Sequence, residues 1–89
     1  MINFESLVEE FKEDFQIPPF ISFETLKNYA QEGYQFLKSK KDEDFDINVD
    51  HSARALLKEY MNYAYFKKRN EFEDAFQSAI YSWLMEPSK

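Results

Sequence analysis

The chain predicts an all-α fold, a small bundle of about four helices in a single domain spanning residues 1–89, with one extended segment, residues 44–50, between the second and third helices. Three observations carry that expectation. Apolar residues recur three and four positions apart in four separate stretches, the period of a helix with one buried face. Helix breakers are scarce: there is one glycine, Gly33, and of the three prolines two are adjacent, Pro18 and Pro19. The composition is 44% hydrophobic and 19% aromatic, more than a disordered chain carries, so a core is expected.

Taken in order, Phe4, Leu7, Val8, Phe11 and Phe15 make the apolar stripe of a first short helix, with Asn3 placed to cap it and acids in its first turn. The two prolines require that helix to stop by Ile17, because the residue before a proline is pushed out of the helical region. Ser22 then offers a cap for a second helix along Phe23, Leu26, Ala30, Gly33 and Leu37, with Tyr29, Tyr34 and Phe36 widening the stripe. Glycine inside a helix costs about 1 kcal/mol against alanine, so either this helix ends early or a neighbour approaches closely at Gly33. Asp50 caps a third helix along Ala53, Leu56, Leu57, Tyr60 and Ala64, which closes on Lys67, Lys68 and Arg69, cations that suit a helix C-terminus. Asn70 and Glu73 have capping-box spacing before a fourth stripe, Phe72, Phe76, Ala79, Ile80, Trp83 and Leu84, which Pro87 ends.

The stretch DEDFDINVD, residues 42–50, superficially follows a calcium loop, with acids or amides at every second position. Both decisive positions fail. The sixth, which needs glycine for a sharp turn, is Ile47, and the twelfth, which needs a bidentate glutamate, is Ala53. The residues between the acids say more: Phe45, Ile47 and Val49 alternate with polar neighbours at the period of a strand. Such a segment either lies on the helices by its apolar face or pairs with a strand of another molecule.

Charge and composition narrow the function classes. The net charge is −6, which argues against phosphate neutralisation as the main business of the surface. It is unevenly spread: residues 1–37 carry seven acids and two bases, residues 38–69 six acids and eight bases, and residues 70–89 four acids and one base. An acidic and a mixed surface permit copies to meet head to side, the arrangement of a ring. With no cysteine and a single histidine, His51 in a first helical turn, there is no thiolate site and no histidine pair for a metal or nucleophile. Glu9, Glu10, Glu13 and Asp14 lie opposite the first apolar stripe and are read as a solvated face. No catalytic residue, cofactor or metal site is expected, no segment is apolar enough for a membrane span, and the acidic start is unlike a signal peptide, so the chain is expected to stay in the cytoplasm.

The third helix adds a different signal. Tyr60, Met61, Tyr63, Tyr65 and Phe66 encircle it, and a chain this short buries only roughly 60 to 65% of its unfolded surface, so partners are expected. Phe45, Ile47, Val49, Tyr63, Tyr65, Phe66 and Trp83 are the candidate protein interface. Stacking of bases beside Lys67, Lys68 and Arg69 is the competing reading of the same rings, but one basic cluster in an acidic chain is a weak nucleic-acid signal.

The helix SFETLKNYAQEGYQFL, the Asp-rich linker and then DHSARALLKEYMNYAYFKKRNEFEDAFQSAIYSWL together resemble the small head-tail connector proteins of tailed double-stranded DNA phages, also called adaptor or head-completion proteins. Asp50, Ala53, Arg54, Leu56, Leu57, Tyr60 and Tyr63, followed by EFEDAF, carry most of the likeness. The resemblance implies a virion protein, in the host cytoplasm before assembly, that forms a ring of about twelve copies beneath the portal. Its partners would be itself, the portal protein and a stopper or tail-terminator protein, with DNA passing the acidic channel wall without specific binding. A different class of reading is an acidic regulatory binder, an anti-repressor or DNA mimic that occupies the basic site of a host or phage protein.

Overall fold

A computed structural model describes residues 3–41 and 44–86. It is all-helical, with five helices among these residues: α1 (Glu5–Asp14), α2 (Phe23–Lys40), α3 (His51–Tyr65), α4 (Arg69–Ala75) and α5 (Gln77–Met85). The α2–α3 pair is the main axis, α1 packs on both, and α4 and α5 pack on α3 and on each other. Because α3 touches every other helix, its apolar residues on all sides are met within the chain: Tyr60, Met61 and Ala64 are buried, and Tyr63 is half-buried.

The Ser22 and Asp50 caps form, whereas α1 starts from Phe4 without a side-chain cap instead of from Asn3. Ser22 Oγ accepts the backbone N–H of Thr25 at 3.1 Å, and Asp50 Oδ1 accepts that of Ala53 at 3.0 Å. Asn3 Oδ1 accepts the N–H of Glu5 at 2.8 Å, one turn-closing bond ahead of α1. Gly33 has an ordinary helical backbone, and its value is space: an alanine Cβ there would lie 2.5 Å from Leu57 Cδ1 and 2.8 Å from Tyr60 Cδ1. The close-approach reading of Gly33 is the one realised.

Other boundaries differ from expectation. Lys67, Lys68 and Arg69 do not close α3. It ends at Tyr65, where Lys67 N–H bonds to Ala64 O at 3.0 Å and Lys68 N–H to Tyr63 O at 2.7 Å, with Lys67 at φ 61°. That is a Schellman motif with lysine where glycine is usual. Helix α1 ends the same way, with Gln16 at φ 51° and Ile17 N–H on Lys12 O at 3.0 Å. The Asn70–Glu73 capping box does not form either: α4 starts at Arg69 without a side-chain cap, and Glu73 pairs with Lys40. The fourth stripe is divided at Phe76, whose backbone bends although its carbonyl still accepts the N–H of Ile80 at 2.9 Å. Phe72 and Phe76 stack at 5.0 Å and both meet Tyr63 edge-on, and Phe72 also meets Tyr60 edge-on. Pro87, expected to end the stripe, lies outside the described residues, as does Asp42 at the head of the acidic stretch.

The strand reading of residues 44–50 is overturned. Asp46 builds a turn instead: its carboxylate accepts the N–H of Asn48 at 2.8 Å, and its carbonyl accepts those of Val49 at 2.9 Å and Asp50 at 2.7 Å. Asp and Asn side chains compete for backbone in this way, and the turn breaks the period of two. Ile47 is 1% exposed, Phe45 sits between Tyr34 and Trp83 at 5.2 and 5.0 Å, and Val49 is turned out at 58% exposure.

Candidate functional site

Arg54 holds the frame of the site. Its Nε and Nη2 donate to the two carboxylate oxygens of Glu10, each at 3.1 Å, Nη2 also reaches Ser6 Oγ at 3.2 Å, and Nη1 donates to Ile47 O and Asn48 Oδ1 at 3.3 Å. One guanidinium fork thus ties α1, the Asp46 turn and α3 together. Lys58, one turn on, bridges Glu10 at 2.6 Å and Asp14 at 2.7 Å. Two of the four carboxylates read as a solvated face are therefore committed to α3. The hydrogen bonds from Arg54, then those from Lys58, lower the Glu10 pKa to about 2. A matching pair of spacings, Glu10 with Asp14 and Arg54 with Lys58, was the signal in the sequence.

Asp50 joins two helices. While Oδ1 caps α3, Oδ2 accepts the indole Nε1–H of Trp83 at 2.9 Å. Lys41, buried at the end of α2, lies 4.8 Å over the Trp83 ring and 3.5 Å from its carbonyl oxygen in the last turn of α5. Trp83, 1% exposed, is a core residue and corrects its assignment to a protein interface. Ile47 leaves that set for the same reason. On the far side, Tyr60 donates to Glu32 Oε2 at 2.6 Å, and Arg69 donates to the same oxygen at 2.6 Å. Burial, with the Glu32 bond second, pushes the Tyr60 hydroxyl pKa upward.

These anchors leave a groove of about 390 Å³ open between α3 and α5. Ser52 and Ala55 on α3 face Ala79 and Ser82 on α5, and such small side chains give no wall high enough to close over the floor. The floor is apolar: half-buried Phe76, with Leu56 and Trp83, which are nearly covered at 5% and 1% exposure. Carboxylates line it, Glu59 from α3 and Glu86 beyond α5, and no cation among the described residues does; Ser52 donates to Glu86 at 2.7 Å. Sequence reasoning missed this groove, since Ala55 and Ser82 carry no chemistry of their own.

A second exposed feature stands at the other end of α3. Phe66 is 60% exposed, its backbone held by the helix end and its ring edge-on to half-buried Tyr65 at 5.0 Å. Exposed Lys67 and Lys68 follow it, and neither makes an ion pair among the described residues. Of the seven predicted interface residues, Val49 and Phe66 are exposed, Phe45, Tyr63 and Tyr65 are half-buried, and the remaining two are core. They do not form one patch: Phe45 and Trp83 meet, Tyr65 and Phe66 meet, and Tyr63 belongs to the Phe72 cluster.

Among the described residues no group of three His, Asp or Glu side chains is arranged to hold a metal ion, and no helix is long and apolar enough to cross a membrane. No family model, no curated protein and no solved structure matches the chain.

Proposed function

We propose that this protein is a structural head-tail connector subunit of a tailed double-stranded DNA phage particle. It acts by assembly, as a ring of about twelve copies beneath the portal that links it to a stopper or tail-terminator protein. The observation that carries the reading is the open α3–α5 groove, an apolar floor lined with carboxylates, on a domain whose main helical stripes are already packed against one another. Such a groove receives a side chain or helix from another protein. The likeness of the α2 and α3–α5 sequences to connector proteins supports the same reading, and the net charge of −6 suits a channel wall that lets DNA slide.

Co-assembly with a cognate portal protein is the test. Purified portal rings should capture the chain in stoichiometric amounts, and electron microscopy should show added density beneath the portal. No binding to that portal, together with tight binding to a host DNA-binding protein, would replace the connector with the acidic regulatory binder.

A further inference from the structure

We infer that the α3–α5 groove receives the Phe66–Lys67–Lys68 corner of a second copy of this chain. The inference deepens the connector reading and rests on it, because a ring needs each copy to offer two different, complementary surfaces. Both surfaces are present here. The groove presents an apolar floor with Glu59 and Glu86 beside it, and the corner presents an exposed phenyl ring with two exposed lysines directly after it. A ring entering the floor beside carboxylates brings the ammonium groups that follow it toward those carboxylates, so apolar and charged groups are matched together.

The corner is set for this role by its backbone. The Schellman bonds of Lys67 and Lys68 fix the turn, so little chain entropy is lost when it docks. Phe66 does not line its own groove: the nearest lining residue on its helix, Glu59, is seven positions back, roughly 10 Å along α3 at about 1.5 Å per residue. Groove and corner are therefore separate surfaces of one chain, and each contact leaves one groove and one corner free. That is a head-to-tail contact, which propagates until a ring closes. A single phenyl anchor makes each contact weak, so copies separate when dilute and hold together when several contacts close at once.

The chain has no cysteine, which allows a direct test. Lys68→Cys and Ser82→Cys proteins, each shown to fold by circular dichroism, are mixed at high concentration and oxidised. The expected product is a disulfide between position 68 of one chain and position 82 of another, well in excess of either like pair, and a chain carrying both substitutions gives a ladder of multimers. Adding Phe66→Ala to the Lys68→Cys chain should lower the yield about tenfold, the loss of an anchor at the centre of a contact. Pairing at random, no pairing, or a yield indifferent to Phe66→Ala overturns the contact. So does a Ser82→Cys chain that links to portal protein and never to Lys68→Cys, which would give the groove to the portal. Portal capture is scored separately: if it persists while the cross-link fails, the connector reading stands without this contact. If the cross-link forms and portal capture fails, the protein self-assembles in another role.

Discussion

Replacing Gly33 with alanine sets two effects of opposite sign against each other at one atom. In an isolated helix the change would stabilise α2 by about 1 kcal/mol, because alanine loses less backbone freedom. Here the new methyl would stand 2.5 Å from Leu57 Cδ1, 2.8 Å from Tyr60 Cδ1 and 3.1 Å from Tyr60 Cγ. Carbon atoms rest at roughly 3.5 to 4.0 Å, so the overlap is about 1 Å on two neighbours. The leucine methyl has some room to rotate. The Tyr60 ring has little, packed between Phe36 at 5.7 Å and Phe72 at 5.2 Å with its hydroxyl bonded to Glu32. Overpacking of this kind costs roughly 1 to 3 kcal/mol, and two crowded neighbours put the site in the upper part of that range. The net expectation for Gly33→Ala is a loss of roughly 1 to 2 kcal/mol, which for a domain of this size lowers Tm by roughly 5 to 15 °C. Thermal and urea unfolding followed by circular dichroism measure it. Adding Leu57→Val, which removes the clashing methyl, should recover part of the loss through a favourable coupling of about 0.5 kcal/mol or more. A Gly33→Ala protein that melts at or above the parent temperature would show that α2 and α3 do not meet as closely as the structure has them.

The same measurements check the remaining expectations. Ile47→Asp places an unpaired charge in the core and should cost more than about 4 kcal/mol or prevent folding, whereas Val49→Asp, and Asp44→Asn with Asp46→Asn, should leave Tm within a degree or two. Asp50→Ala strips α3 of its cap and the Trp83 indole of its partner, so a loss of roughly 2 kcal/mol is expected, with a change in the near-ultraviolet Trp signal. Gln16→Gly relieves a left-handed glutamine, a strain of about 1 to 2 kcal/mol, against a glycine entropy cost of roughly 0.5 to 1, so urea melts should show a gain of up to about 1 kcal/mol. Glu10, with a folded pKa of about 2 against an ordinary 4.5, contributes its full stabilisation above pH 4.5 and loses it as pH falls toward 2. Glu10→Gln should flatten Tm against pH across that window, modestly and less so in high salt, since the pair is partly exposed.

Helix periodicity, the two caps and the proline stop were legible because each is local: a residue and its neighbours within one turn decide them. Gly33 was legible in kind, as a close approach, because a glycine in a helical stripe has few other uses. The helix ends at Gln16 and Lys67 were hidden, since a Schellman turn normally announces itself with glycine and here a glutamine and a lysine take the left-handed position. The alternation of Phe45, Ile47 and Val49 misled because Asp46 and Asn48 turn the backbone locally, which hydrophobic pattern alone does not record. Trp83 was assigned outward on residue type; the burial of an indole depends on finding a partner for its N–H, and that partner, Asp50, lies thirty-three residues away in the chain.

An all-helical domain, its core stripes and its acidic balance are thus properties of the sequence itself, because they follow from spacing and composition over short windows. Which rings were left over for a partner was decided only in three dimensions. Helix α3, apolar on every side, found four neighbours for its faces; Phe66, past its last turn, stayed exposed, as did Phe20 and Tyr81 on other elements. The groove has the same origin: Ser52, Ala55, Ala79 and Ser82 are unremarked small residues until two helices bring them face to face across a floor of Leu56, Phe76 and Trp83.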